Sequence, residues 1–145
     1  MHGIDYEETF ASVANMDSIR LTLAIVSAKG WEVHHMDVMN AFLHEDLLEE
    51  IYMEQPRGFI QDSSLVCRLK KSLYGLKQAS RAWYAKMDSF LLSQKFRRCN
   101  SDLNVYMLRT HDSFLILVLY VDDFLIIDSS ASTIAAVKRT LHDRF

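Results

Sequence analysis

The sequence predicts an α+β layer fold. Three observations carry that prediction. Apolar residues recur at helical spacing in some segments and alternate with polar ones in others. The two kinds of segment follow one another without the regular strand–helix–strand alternation of a parallel sheet. The chain has 145 residues, half of them apolar, with 4 Gly and 1 Pro. It is long enough for one packed core and too poor in Gly and Pro for a disordered or linker-rich build.

The elements follow in chain order. Asp17 or Ser18 stands ahead of Ile19, Leu21, Leu23, Ile25 and Val26 as a helix N-cap, and Gly30 fits the C-terminal stop. Residues 31–37 alternate, with Trp31, Val33 and His35 against Glu32, His34 and Met36, which predicts a strand ending at Asp37. Residues 40–48 predict a short helix. Residues 50–54 predict a strand with Ile51 and Met53 on one face, broken by Pro56 and Gly58, and residues 65–69 predict another. Leu76, Ala79, Trp83, Met87, Phe90 and Leu91 fall at helical spacing, so an amphipathic helix is expected over 76–95, with Lys77 and Arg81 sharing its polar side. Strands are expected over 105–108 and within 114–127. Ser129 or Ser132 is placed to cap a last helix holding Ile134, Val137, Lys138 and Leu141.

The net charge of −3 conceals an asymmetry. Residues 1–56 carry 11 acidic and 2 basic side chains, whereas residues 57–99 carry 2 acidic and 10 basic. A basic middle third containing Trp83 and Tyr84 could follow a phosphate backbone, or it could be a solvated face balancing the acidic first third. Cys67 and Cys99 have no metal-binding spacing and read as free thiols of a reducing compartment. The N-terminus has no signal-peptide character, and the apolar run 114–121 is too short to span a bilayer.

The most telling motif is Tyr120-Val121-Asp122-Asp123, set between two apolar runs. Adjacent residues in mid-strand point to opposite faces, so two neighbouring carboxylates share a space only at the tip of a hairpin. Held there, they suit a divalent metal that assists phosphoryl transfer. An acidic pair between strands is also an ordinary turn. Asp37 closes a strand 85 positions earlier, a separation that fits a third carboxylate brought in from a neighbouring strand of the same sheet. Crowded carboxylates disfavour one another's charge unless cations neutralise them, which points to magnesium with oxygen ligands. A phosphoacceptor signalling domain also clusters aspartates, but there the paired acids come early and the strands are parallel.

Four blocks carry a family resemblance: DYEETFASVANMDSIR at 5–20, GWEVHHMDVMNAFLHEDLLEEIYMEQPRGF at 30–59, VCRLKKSLYGLKQASRAWY at 66–84 and LYVDDFLII at 119–127. Together they resemble the reverse transcriptase of copia-type LTR retrotransposons over nearly the whole chain. The resemblance implies a polymerase palm, an antiparallel sheet with packed helices, plus part of the fingers, over residues 1–145. It implies an RNA-directed DNA polymerase that extends a primer by two-metal phosphoryl transfer. Asp37, Asp122 and Asp123, with the backbone of Val38, would hold two Mg²⁺ ions, for which Mn²⁺ could substitute. Asn40 and Ala41 would lie under the incoming triphosphate. Phe42 would pack against its sugar and exclude a 2′-hydroxyl. Tyr74 and Gly75 would border the nascent base pair, and Tyr120 the primer terminus. The basic residues Arg68, Lys70, Lys71, Lys77 and Arg81 would meet nucleic acid.

The implied partners are an RNA or DNA template with its primer, deoxynucleoside triphosphates, and the RNase H, integrase and protease of a Pol polyprotein. No membrane is involved, and the implied setting is intracellular. Upstream fingers, thumb, connection and RNase H regions would lie outside these residues, so weak or no activity is expected of this segment alone. A catalytically silent remnant, at most binding nucleic acid, is the alternative. Asn15, Met39, Glu45 and Ser12 differ from common residues of the family, whereas Ser80 lies within its expected variation, and a Glu in place of a Gly at 45 would strain any turn with positive φ there. None of these is an expected metal ligand.

Overall fold

The computed structural model describes residues 11–44, 47, 49–111 and 113–145. Residues 1–10, the start of the first family block, and Glu45 therefore lie outside the described residues. The chain divides into two compact units, 1–10 with 40–83, and 11–39 with 84–145.

The second unit is built on a five-stranded antiparallel sheet. Its strands are β1 (Glu32–Asp37), β4 (Arg97–Arg98), β5 (Val105–Arg109), β6 (Phe114–Tyr120) and β7 (Asp123–Asp128), in the order β1-β7-β6-β5-β4. The two short strands β2 (Tyr52–Met53) and β3 (Cys67–Arg68) pair separately in the first unit. β6 is the middle strand of the five, which explains its unbroken apolar sequence: a strand covered on both faces has no polar side to present. Its Leu115, Ile116, Leu117, Val118 and Leu119 are all buried. The apolar stretch expected over 114–127 thus resolves into two strands joined by a turn at Val121 and Asp122.

One sheet face carries Val105, Ile116, Val118 and Ile127, which cluster with Ala14 and with Val26 of α1 (Met16–Lys29). Fully burying side chains of this size is worth roughly 1.5–3 kcal/mol each. The helix begins two or three residues earlier than the sequence suggested. Asn15 is the N-cap, accepting from the Asp17 N–H, while Asp17 and Ser18 sit in the first turn. The start is also tied to the sheet: Asp102, before β5, accepts from the Asn15 N–H at 2.8 Å and from the Asn104 N–H at 3.0 Å. At the other end Gly30 takes φ 65°, and its N–H and that of Trp31 both reach the Val26 carbonyl. A side chain disfavours that left-handed geometry, so Gly is the stop the sequence predicted.

The opposite sheet face carries Tyr106, Leu117, Leu119, Phe124 and Ile126, all essentially inaccessible. The helix α3 (Ala131–His142) covers part of it with Ile134 and Leu141. Its N-cap is Ser130, between the two serines predicted, because only Ser130 is placed to accept from the Thr133 N–H. The helix α2 (Ala79–Ser93) starts in the first unit and ends in the second. Its expected first residues, Leu76 and Lys77, lie in a turn before it, so Lys77 and Arg81 do not share a helical face. In the second unit α2 buries Met87 and Leu91 and contributes Asp88 to a polar cluster. Asp88 accepts from the Tyr106 hydroxyl at 2.8 Å and pairs bidentately with the Arg98 guanidinium. A carboxylate this buried is tolerated because its oxygens are met by charged and hydroxyl donors. Burial and the hydrogen bonds to Tyr84 and Asp88 push the Tyr106 hydroxyl far above its ordinary pKa. β4, which carries Arg98, had no sequence signal beyond two adjacent arginines.

α2 closes with a Schellman motif. The Phe96 N–H reaches the Leu91 carbonyl and the Lys95 N–H reaches that of Leu92, which puts Lys95 at φ 69°. Lys95→Gly is expected to stabilise the chain by about 1 kcal/mol, because Gly meets this conformation without a Cβ clash. Urea unfolding of the two chains measures it. Asp102 makes a second prediction. Burial alone would raise its pKa, but the N–H of Asn15, the Ser18 hydroxyl and the N–H and side chain of Asn104 outweigh it and hold it below the ordinary value. A depressed native pKa contributes stability that is present above the unfolded-state pKa and is lost as pH falls through the native one. Urea midpoints taken from neutral to acid pH should therefore decline in that window, and the decline should be shallower in Asp102→Asn.

Candidate active site

The site of the second unit is a row across three strands. β1 runs antiparallel to β7 with Asp37 opposite Asp123, and β7 runs antiparallel to β6 with Asp123 opposite Tyr120. Directly opposed residues project from the same face with their Cβ atoms about 4.5–5.5 Å apart. Asp37, Asp123 and Tyr120 therefore form one line at one end of the sheet, on the face that carries Val118 and Ile127 further in. The expectation that Asp37 comes from a strand neighbouring the acidic pair is met by this pairing.

Asp122 is held differently from Asp123. It occupies the two-residue turn between β6 and β7, while Asp123 is already the first residue of β7. The Asp122 carbonyl accepts from the Val38 N–H at 3.1 Å, so the residue after Asp37 is fastened to the turn itself. Val121, the first turn residue, adopts φ 59°. A two-residue hairpin turn needs positive φ at this position and is usually supplied with Gly. For a β-branched side chain the conformation is a genuine outlier costing about 1–3 kcal/mol. The paired strands on either side hold it in place.

His35 was not among the residues singled out from the sequence. Its Nε2 lies 2.7 Å from Asp123 Oδ1. The signal that could have found it is parity. A residue two positions before Asp37 on a strand must share its face, and opposite Leu125 it is diagonal to Asp123. Among the described residues, no three His, Cys, Asp or Glu side chains converge closely enough to hold a metal ion by themselves. The donors present nevertheless suit Mg²⁺. They are carboxylates on an open sheet face, Asp37 exposed and Asp123 half-buried, and Mg²⁺ keeps several waters and binds through one or two carboxylates plus substrate phosphates.

The first unit holds the other candidates. Ala41 and Phe42 are buried in a 3-10 helix (Ala41–His44), within the helix expected over 40–48, of which residues 45, 46 and 48 lie outside the described residues. Asn40 precedes it at φ 56°, a left-handed conformation Asn tolerates better than most residues. The Phe42 ring packs on Tyr74 with centroids 4.5 Å apart and planes inclined at 57°. Tyr74 is 73% exposed, so the pair has one anchored ring and one open ring. Gly75 follows at φ 95°, in a turn closed by the Leu76 N–H on the Leu73 carbonyl. Arg68, Lys70, Lys71, Lys77 and Arg81 are all exposed. Arg68 lies 3.7 Å from Glu50 across the β2–β3 ribbon. Of the two aromatics singled out beside them, Trp83 is buried, and the Tyr84 hydroxyl donates to the Leu103 carbonyl. A cavity of about 170 Å³ in the second unit, lined by Phe90, Leu91, Phe96, Leu108, Val137 and Leu141 among others, includes none of the candidate residues. No helix among the described residues is long and apolar enough to cross a membrane.

An antiparallel sheet bearing a row of carboxylates beside a Tyr-Val-Asp-Asp turn defines a class, and comparison with known proteins gives it a family. Residues 1–145 match the family described as reverse transcriptase (RNA-dependent DNA polymerase), and the chain belongs to it. It is 49% identical over 99% of its length to the retrovirus-related Pol polyprotein from transposon TNT 1-94 of Nicotiana tabacum, of which it covers 11%. It is 39% identical over 99% of its length to the Pol polyproteins from transposons RE2 and RE1 of Arabidopsis thaliana, covering 10% of each. The chain thus spans about a tenth of the length of these relatives. No solved structure matches it. The copia-type resemblance of the sequence blocks and the α+β class both hold.

The strained turn yields a prediction. Val121→Gly should raise stability by about 1 kcal/mol, the relief of positive φ exceeding the added freedom of the unfolded chain. The urea midpoint of the variant against the parent chain is the measurement.

Proposed function

We propose that this chain is the palm with part of the fingers of an RNA-directed DNA polymerase, adding deoxynucleotides to a primer 3′ end by two-metal phosphoryl transfer. The observation that carries the reading is the register that sets Asp37 opposite Asp123 beside the Asp122 turn. Family membership supports it. Asp37, Asp122 and Asp123, with the backbone of Val38, would hold two Mg²⁺ ions, or Mn²⁺ in their place. When bound, such ions supply a lowered pKa at the attacking hydroxyl and charge neutralisation at the leaving phosphate. The protein's contribution is to hold the carboxylates on paired strands, so that little reorganisation is needed when charge develops.

Tyr120, next to Asp123 on the same face, would meet the primer terminus. In the first unit Asn40 and Ala41 would take the triphosphate. The anchored ring of Phe42 would pack on the sugar and disfavour a 2′-hydroxyl. Tyr74 and Gly75 would border the new base pair, where the absence of a Cβ at Gly75 lets a base come close to the backbone. Arg68, Lys70, Lys71, Lys77 and Arg81 would contact the phosphates of template and primer, with an affinity that falls as salt rises. The template–primer, the deoxynucleoside triphosphates and the RNase H, integrase and protease of a Pol polyprotein are the proposed partners.

The test is primer extension on a primed RNA template, with the chain grafted in place of the matching segment of the tobacco polyprotein. Extension should require Mg²⁺ or Mn²⁺ and fall by at least a hundredfold in Asp122→Asn. Extension that survives this substitution overturns the site assignment. Salt-dependent binding of primer–template with no extension by the parent graft would instead favour the silent, binding-only alternative.

A further inference from the structure

We infer that His35 is a positioning residue for Asp123, fixing which carboxylate oxygen is turned toward Asp37. The inference rests on the reading of Asp37, Asp122 and Asp123 as the metal-holding carboxylates. Three observations bear on it. The first is the contact itself, 2.7 Å between His35 Nε2 and Asp123 Oδ1, in the range of a strong charge-assisted hydrogen bond. An ionised carboxylate only accepts, so Nε2 carries the hydrogen and donates. The second is the register. His35 and Asp37 stand two apart on β1 and face Leu125 and Asp123 on β7, so His35 reaches Asp123 along the diagonal. Oδ1 is engaged by His35, and Oδ2 is the oxygen outside that contact. The third is exposure. The His35 side chain is 62% accessible and fills no core, so packing does not account for it.

The physical role follows from what its neighbours lack. Asp123 sits directly opposite another carboxylate, and opposed like charges destabilise a strand pair. An Asp side chain on an open sheet face has two free torsions and would rotate away from Asp37. A donor on its flank removes that freedom. Hydrogen-bond partners of this kind orient ligating groups, and their removal typically weakens metal affinity about 10–100-fold.

The experiment titrates this chain with Mn²⁺ and reads free Mn²⁺ by its paramagnetic resonance signal. The parent chain, His35→Ala, His35→Gln and Asp37→Asn are compared. His35→Ala should bind about tenfold more weakly. His35→Gln should recover part of that loss, because its amide can still donate toward Asp123. Circular dichroism and urea midpoints of the His35 variants should match the parent, as expected for an exposed side chain. In the grafted polyprotein, the Mg²⁺ concentration for half-maximal extension should rise while the rate at saturating Mg²⁺ stays unchanged, a split that a merely structural role would not produce. Mn²⁺ binding by His35→Ala equal to or tighter than the parent overturns the inference; tighter binding would mean that the imidazole competes with the metal. If the parent takes up no Mn²⁺, or Asp37→Asn binds as the parent does, the metal-site reading itself fails and the role of His35 falls with it.

Discussion

The register between β1 and β7 is the constraint on which the rest depends. Side chains alternate along a strand, so a slip of one residue would move every one of them to the other face. Asp123 would turn to the face of Leu117 and Leu119, and Phe124 and Ile126 would leave the packing they make there for the face that α1 covers. Burying Phe124 and Ile126 where they are is worth several kcal/mol by the usual area scale, and an unpaired buried carboxylate costs more again. The position of two acidic groups at the surface is therefore set by apolar groups that never touch them. The Val38 N–H on the Asp122 carbonyl adds a local fastening, but the larger force is the core.

The polar groups inside the second unit serve the same end. Asp102 gathers the start of α1 and the approach to β5, and Asp88 gathers α2, Arg98 and Tyr106. Each carboxylate joins elements distant in sequence, and each is met by several donors. Replacing one partner would leave the rest buried and unsatisfied, which is why such clusters specify an arrangement more than they add net stability. The helices are thereby fixed against a sheet whose end carries the carboxylates.

Much of this was legible in the sequence. The unbroken apolar character of β6 announced a strand covered on both faces, and Gly30 announced the end of α1. Asp37 and the Asp122–Asp123 pair could be assigned to neighbouring strands because both stand at the ends of strand patterns. What could not be read depends on distant partners. Asn15 outcompetes Asp17 and Ser18 as a cap, and its own N–H is held by Asp102 at a separation of 87 residues. The start of α2 moved to Ala79 because the apolar spacing that includes Leu76 continues into a turn and carries no boundary of its own. β4 exists because β5 offers it an edge, which no property of Arg97 or Arg98 reveals. The parity that puts His35 on the face of Asp37 was legible, but its reach to Asp123 depends on the register with β7.

The burial of β6 on both faces has a further consequence. A turn that joins two surface strands can open by itself, and its geometry then fluctuates on the timescale of a loop. The turn at Val121 and Asp122 leaves the most thoroughly covered strand of the sheet and enters another whose inner residues are equally inaccessible. Neither strand can part from the other without exposing both layers of the core. The acidic end of the sheet is consequently as hard to open as the core beneath it, and the cost of ordering its backbone is met during folding.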